Sequence, residues 1–155
     1  IFHIERTIIA DSASSGISDR TSSAATVDIV NSTLVKNDPG YYLDAMTGTH
    51  HLRNTIISSS KGNGVERASN ATDNDQAILN VSYSNVWNSK NNNYYSSRKS
   101  AVITPAGSNN VSVNPLLTDE YGLYSISPMI DVGDPASALD PDGTRADIGA
   151  KPYQH

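Results

Sequence analysis

The sequence predicts an all-β solenoid, in which short strands form rungs that stack on one another. The segment HIERTIIA at residues 3–10 returns without a gap as HLRNTIIS at residues 51–58, 48 positions later. The 15 Asn and 22 Ser residues suit a fold with many corners and disfavour a helical domain. Related segments recur at intervals of 26, 22, 29 and 30 residues when they are aligned on Thr7, Thr33, Thr55, Ser84 and Asn114. Such spacing is typical of solenoids, because one unit alone cannot bury its apolar face.

About five rungs follow from this repeat. Polar segments rich in Gly, Pro, Asn and Ser separate the strand-like segments and predict turns. The strands are predicted at residues 4–10, 27–35, 49–58, 77–87, 101–103 and 110–116. Prolines then become frequent, and proline is excluded from a central strand. Residues 1–116 are therefore predicted to form the rungs, and residues 117–155 a proline-rich capping segment packed on the same solenoid, across the end of the stack.

Length and charge exclude several classes of partner. The 155 residues suit one domain. A formal net charge of −5 argues against nucleic acid and anionic membranes, which attract basic patches. No apolar run is long enough for a membrane span. Cysteine is absent, so no disulfide framework exists.

Strand alternation assigns the faces of the third repeat. If Leu52 and Asn54 point inward, His51 and Arg53 point outward on the same strand. Rungs stack about 4.8 Å apart, so outward residues of neighbouring rungs form columns. Glu5 is expected beneath Arg53, where the two side chains could form an ion pair, and Asn54 is expected to join an internal ladder of asparagines.

The last quarter of the chain resembles a known family. The segments NPLL at 114–117, YGLYSISPMIDVGDP at 121–135 and DPDGTRADIGA at 140–150 are similar to the C-terminal end of secreted bacterial right-handed parallel β-helix proteins. These are the pectate-lyase-like solenoids, including those described as choice-of-anchor Q proteins. The family usually has Tyr-Glu after the Gly-Ala, whereas this chain has Lys151-Pro152-Tyr153. The resemblance implies three parallel sheets wound into a right-handed, single-stranded β-helix, and a secreted or cell-surface location.

The first residues already belong to a repeat. This pattern favours a C-terminal fragment of a longer chain, since solenoids need their open ends covered. We therefore expect either an upstream fragment or self-association through the N-terminal rung.

His51 and Arg53 are the candidate catalytic pair. A lyase that acts on uronic acids must bind a carboxylate and remove the proton beside it. Arginine can hold a carboxylate with two parallel hydrogen bonds, and a basic side chain can take the proton. The alternative is that His50 and His51 are ordinary surface residues and that Arg53 pairs with Glu5.

Aromatic and basic residues provide candidate glycan-binding groups, because sugars stack their C–H faces on exposed rings. Trp87 could instead close a rung against solvent, since large aromatic side chains are mostly buried. The basic side chains could hold an anionic glycan or form a solvated face. The candidates are Trp87, Lys90, Tyr94, Tyr95 and Arg98.

Asp140, Asp142 and Asp147 are the candidate ligands of a Ca²⁺ ion, because hard cations prefer several oxygens from a tight turn. The full calcium-loop pattern is missing, however. Capping of turns by the aspartates is therefore the favoured interpretation, and no cofactor is required.

These observations lead to three hypotheses. In the first, the chain is part of an extracellular β-helix protein that binds or degrades a polysaccharide, with acidic glycans as candidate ligands. An enzyme of this kind would be a polysaccharide lyase or a glycoside hydrolase. In the second, it is a non-catalytic structural or adhesive module. In the third, it is a scaffold for chemistry that lies elsewhere. Fold alone does not choose among them.

Overall fold

The computed structural model describes residues 1–20, 24–45, 47–68, 77–97 and 99–155. These residues form 13 short strands and no helix. Accordingly, no helix in the described ranges is long and apolar enough to cross a membrane. The gaps between the described ranges all lie between a strand of the third sheet and the next strand in the chain.

Four rungs of three strands each make up the solenoid. The first consists of β1 (Phe2–Glu5), β2 (Ile8–Ala10) and β3 (Ile17–Asp19). The second consists of β4 (Thr26–Val30), β5 (Thr33–Val35) and β6 (Tyr41–Leu43). The third consists of β7 (Thr49–Arg53), β8 (Ile56–Ser58) and β9 (Val65–Arg67). The fourth consists of β10 (Ile78–Ser82), β11 (Asn85–Trp87) and β12 (Tyr94–Ser96). A short β13 (Ala101–Val102) follows.

Equivalent strands of successive rungs pair in parallel and build three sheets. The first sheet has the order β1-β4-β7-β10, the second β2-β5-β8-β11, and the third β3-β6-β9-β12-β13. Among the strands of the described residues, only β13 is antiparallel to its neighbour. The prediction of an all-β parallel solenoid is confirmed, with three turns between β1 and β10.

The predicted number of about five rungs is too high. Beyond the fourth rung, Ala106 and Val111 form only isolated bridges, with Asn80 and Asn85. Pro105, next to the first bridge, has no N–H group for a ladder, which limits a further strand there. Residues 101–103 form part of the antiparallel pair with β12 instead of a fifth parallel rung.

Apolar side chains of the first sheet stack inside the coil. Ile4, Ile29, Leu52 and Val81 lie in register on the four strands. Ile29, Leu52 and Val81 are fully buried in the main core. The predicted inward position of Leu52 is therefore confirmed, and the outward positions of its neighbours follow from the alternation.

The corner between the first and second sheets repeats in all four rungs and once more after the fourth. Arg6, Asn31, Asn54, Tyr83 and Asn109 all have positive φ there, between 45° and 58°. This left-handed conformation turns the chain sharply, and asparagine tolerates it better than most residues. Within the described residues, the predicted internal ladder of asparagines is reduced to one bond, from Asn54 Nδ2 to Asn31 Oδ1 at 2.9 Å, and it lies on the side of the C-terminal segment.

The same corner corrects the alignment of two repeats. Ile8 pairs with Thr33, so the equivalent of Thr7 is Ser32, one position earlier than the sequence alignment placed it. At the end of the stack, Asn110 Oδ1 accepts from the Ser84 N–H at 3.1 Å. The register therefore continues at Asn110 and not at Asn114.

Residues 117–155, the C-terminal segment, pack along the side of the solenoid and not across its end. Leu123, Met129 and Ile148 form a second apolar cluster with Ile56, on the outer face of the second sheet. The Ala150 N–H donates to Thr33 Oγ1 at 2.9 Å. The segment follows the side because the second sheet presents apolar residues on both faces, and the outer ones need a cover.

Candidate functional site

A groove on the outer face of the first sheet contains both candidate catalytic residues. Its volume is about 380 Å³. We call it the first-sheet groove; it is lined by His3, Asp28, Val30, His51, Arg53, Ser82 and Asp134. Four rungs and the C-terminal segment therefore contribute to one concave surface.

The register of the first sheet produces a polar column on this face; His3, Asp28 and His51 of the column line the groove, and Asn80 continues it beyond the lining. Asp28 pairs with His3 on one side and with His51 on the other, and His51 pairs with Asn80. Neighbouring strands lie about 4.8 Å apart, so these four side chains follow one another at that spacing along the stack. Asp28 in this column accepts hydrogen bonds, and the two imidazoles and the Asn80 amide can both donate and accept them.

Arg53 lies beside the column and contacts the C-terminal segment. Its Nη1 is 3.5 Å from Asp134 Oδ2, and the two side chains are 41% and 15% exposed. Asp134 is fixed by its own N–H, which donates to Asn54 Oδ1 at 2.7 Å. A guanidinium has five N–H donors, and the contact with Asp134 uses one of them. The ion pair is long and exposed, so its free energy is small.

The expected pairing of Glu5 with Arg53 is wrong. In register, Val30 lies between the two residues, which places them two rungs apart. Glu5 instead contacts His3, with 3.3 Å between Glu5 Oε2 and His3 Nε2. Arg53 is thereby available to the groove.

The alternative in which His50 is an ordinary surface residue is wrong. Its side chain is fully buried, and its Nδ1 lies 2.7 Å from Asp19 Oδ2. The Tyr41 hydroxyl donates to the same carboxylate oxygen at 3.1 Å. His50 and Leu52 share the inward face of β7, and this alternation is the signal that could have identified the buried histidine.

The aromatic candidates lie in different places. Tyr94 faces inward and packs against the main core, whereas Tyr95 faces outward beside Glu66. Burial raises the pKa of the Tyr94 hydroxyl far above its usual range. Trp87 is partly exposed at the end of β11, and it lines another groove.

The basic candidates do not join the aromatic residues into one binding site. Lys90 is exposed on the turn after β11, where its N–H donates to the carbonyl oxygen of Ser60 at 2.9 Å. Arg98 lies outside the described residues. The described binding candidates therefore form no single site.

Replacing Tyr94 with phenylalanine is expected to stabilise the protein by about 1 kcal/mol at neutral pH, because it removes a buried polar group. The Tyr94 hydroxyl is buried and has no hydrogen-bond partner. The pKa of the Tyr94 hydroxyl in the fold exceeds its pKa in the unfolded chain. Ionisation of this group therefore leaves the stability of the protein unchanged below about pH 10 and lowers it as the pH rises from there through the folded-state pKa. The stability of Tyr94→Phe should thus fall less steeply under alkaline conditions.

Urea unfolding at neutral and alkaline pH would measure both effects. Tyr95→Phe is the matched control, because Tyr95 is the next residue and faces outward. Its change should stay within about 0.5 kcal/mol. A loss of stability in Tyr94→Phe at neutral pH would contradict the expectation.

The candidate calcium ligands act as caps of backbone turns. Asp140 Oδ2 accepts from the Asp147 N–H at 2.8 Å. Asp147 accepts from the N–H groups of Asp131 and Tyr153 at 2.7 and 2.6 Å. Asp142 accepts from the Thr144 hydroxyl at 2.8 Å, and this bond lowers the pKa of Asp142. Burial raises the pKa of Asp147 despite the two backbone donors.

These contacts match the capping interpretation of the three aspartates. Among the residues that the structure describes, no group of three or more His, Asp or Glu is arranged to hold a metal ion. Asp140 also lies 3.7 Å from Arg6, which links the C-terminal segment to the first rung. The carboxylates thus have a structural use.

No protein-family model matches the chain, and searches of curated proteins and of solved structures return no match. The class that the fold defines is a parallel β-solenoid protein. The resemblance to secreted bacterial β-helix proteins stays a prediction, and the first-sheet groove is the candidate site for a function.

Proposed function

We propose that the protein binds a polysaccharide along the first-sheet groove, and that the preferred polymer contains uronic acids. The observation that supports this most is the column of His3, Asp28, His51 and Asn80, with one polar side chain per rung. A polysaccharide repeats along its length, and so does the face of a parallel solenoid. The ligand would therefore lie parallel to the stacking axis.

The chemistry of the groove supports a sugar acid. Arg53 can exchange its exposed contact with Asp134 for a bidentate contact with a uronate carboxylate, which is the stronger geometry. Asp28 can accept hydrogen bonds from sugar hydroxyls, and His51 can donate or accept them. Among the residues that the structure describes, the lining holds one arginine and the two carboxylates of Asp28 and Asp134, so Arg53 is its one permanent cation and the main determinant for the acid.

Arg53→Ala is expected to weaken binding of a polyuronate at least about tenfold, because a hydrogen bond to a charged group contributes about 1.5–3 kcal/mol. Titration calorimetry with polygalacturonate oligomers would measure the change. Arg53→Lys should recover only part of the affinity, since an ammonium group cannot form the two parallel bonds.

Lys99→Ala is the control, because Lys99 is an exposed cation outside the groove. Its affinity should remain within about twofold of the unaltered protein, since scattered surface charges contribute little. A neutral glucan should bind equally to the protein and to Arg53→Ala. Equal binding of polygalacturonate by both would refute the role of Arg53, and no binding of either polymer would favour a structural module.

A lyase activity is the second candidate, because His51 and Arg53 line the same groove. Arg53 would hold the uronate carboxylate while His51 takes the proton from the adjacent carbon. The freed electron pair would form a C=C bond, the bond to the glycosidic oxygen would break, and that oxygen would take a proton from water. Appearance of unsaturated uronate products, abolished in His51→Gln, would support this activity; their absence would leave binding alone.

A further inference from the structure

A second groove lies between the end of the second sheet and the C-terminal segment. Its volume is about 260 Å³. We call it the Trp87 groove. Trp87 and Tyr121 contribute aromatic rings to it, and Lys36, Asn114 and Asp119 contribute polar groups. It shares no lining residue with the first-sheet groove.

The solenoid holds the first wall of this groove in place. Trp87 pairs in register with Ser58 at the end of the second sheet, and its carbonyl oxygen accepts from the Ser59 N–H at 3.0 Å. Lys36 follows β5 and has a φ of 56°, and its N–H donates to the carbonyl oxygen of Ser58 at 3.0 Å. Regular backbone pairing thus fixes both Trp87 and Lys36.

The C-terminal segment holds the opposite wall. The Tyr121 hydroxyl donates to Asp11 Oδ2 at 2.6 Å, which connects this segment to the first rung. The Thr118 N–H and the Gly122 carbonyl oxygen are joined by a bond of 2.8 Å that closes the turn around Tyr121. Pro115 and Leu117 add apolar surface. These hydrogen bonds therefore hold the turn at residues 118–122 in place without a ligand.

We propose that the Trp87 groove binds a single sugar ring, as a site separate from the first-sheet groove. An aromatic ring offers a large apolar face to the C–H groups of a sugar. The exposed Lys36, Asn114 and Asp119 offer donors and acceptors to its hydroxyl groups. The groove is smaller than the range of about 300–1,000 Å³ typical of pockets for drug-sized ligands, which suits one ring.

The chain provides its own reporter for this groove, because Trp87 is the only tryptophan among the 155 residues. Tryptophan fluorescence is therefore expected to change when a ligand fills the Trp87 groove. The intact protein would be titrated with glucose, galactose and galacturonic acid, each into the millimolar range. Uridine would be titrated in parallel, since a nucleobase can also stack on an aromatic ring.

We expect a saturable change with at least one sugar and none with uridine. Lys36→Ala and Asp119→Ala keep the reporter, and each should weaken the response roughly threefold to tenfold, as expected for one lost hydrogen bond. Lys99→Ala should respond as the unaltered protein does. No saturable change with any sugar, an equal response to uridine, or undiminished affinity in both groove variants would overturn the proposal. Polyuronate binding is tested by calorimetry with Arg53 variants, whereas sugar binding in the Trp87 groove is tested by fluorescence with Lys36 and Asp119 variants. Failure of this proposal is therefore distinguishable from failure of the proposed function.

Discussion

His50→Ala is expected to lower the free energy of unfolding by about 3–5 kcal/mol, because it removes a large buried side chain together with its hydrogen bond to a carboxylate. The His50 ring is fully buried, and its Nδ1 lies 2.7 Å from Asp19 Oδ2. Its Nε2 faces the carbonyl oxygen of Thr47 at 3.4 Å, so both ring nitrogens meet oxygen atoms. Alanine would leave the Asp19 carboxylate without the imidazole and would open a cavity in the coil.

His51→Ala is the matched control, because His51 is the next residue and lies on the outer face of the same strand. Its cost should remain within about 0.5 kcal/mol. Urea unfolding followed by circular dichroism would compare the two variants. Similar costs for both would mean that the pair with Asp19 contributes nothing beyond a surface contact.

The double variant Asp19→Ala/His50→Ala gives a further test. Asp19, Tyr41 and His50 come from the first, second and third rungs, so their hydrogen bonds join three successive turns of the solenoid. Substitutions within one such network do not have additive effects on the free energy of unfolding. The double variant should therefore lose less stability than the sum of the two single variants, and additive costs would contradict direct coupling.

Strand alternation made much of the first sheet predictable from the sequence. It assigned Leu52 to the core and His51 and Arg53 to the outside, and the structure confirms both assignments. The same rule applied to neighbouring residues separates Tyr94 from Tyr95 and His50 from His51. The Asn- and Ser-rich composition around Tyr94 and Tyr95 is typical of a loop, and it conceals the strand period that separates them.

The second rung shows why local similarity misplaces a register. Ser32 and Thr33 both carry hydroxyl groups, so either could be aligned with Thr7 on residue type alone. Hydrogen bonding decides between them, because the Thr7 N–H donates to Ser32 Oγ at 3.3 Å. The Thr33 hydroxyl instead accepts a hydrogen bond from the Ala150 N–H, a contact that no local sequence pattern predicts.

Contacts across long sequence separations set the rest of the candidate site. Asp134 reaches Arg53 from 81 residues away, and Asp28 enters the groove only once the second rung is in its true register. The left-handed corners at Arg6 and Tyr83 are likewise unexpected, since those residue types rarely adopt positive φ. There the stacked neighbours determine the backbone, and local propensity is overridden.

Asn54→Ala is expected to cost about 3–5 kcal/mol, from lost buried hydrogen bonds together with a left-handed alanine. Asn54 is fully buried at the corner between the first and second sheets, and it faces the C-terminal segment instead of the interior that the sequence suggested. Its Nδ2 donates to Asn31 Oδ1 at 2.9 Å and to Ser137 Oγ at 3.0 Å. Its Oδ1 accepts from the Asp134 N–H at 2.7 Å.

Two further variants separate the backbone from the side chain. Asn54→Gly tolerates the φ of 50°, so it should recover about 1 kcal/mol of the loss and leave the hydrogen-bond part. Asn88→Ala is the matched control, because Asn88 has a similar φ of 54° and is exposed at the corner that follows β11. Its cost should be only the backbone part, about 1–2 kcal/mol. If Asn54→Gly were as stable as the unaltered protein, the three hydrogen bonds would contribute nothing.

The same substitution connects stability with the proposed function. Asn54 fixes Asp134, and Asp134 borders the first-sheet groove beside Arg53. Loss of the Asn54 amide should therefore loosen one wall of the groove and weaken polyuronate binding at temperatures where Asn54→Ala is still folded. The Trp87 groove is anchored elsewhere, through Tyr121 and Asp11, so its sugar response should persist in this variant. Parallel loss of both responses would instead indicate that the whole C-terminal segment had detached.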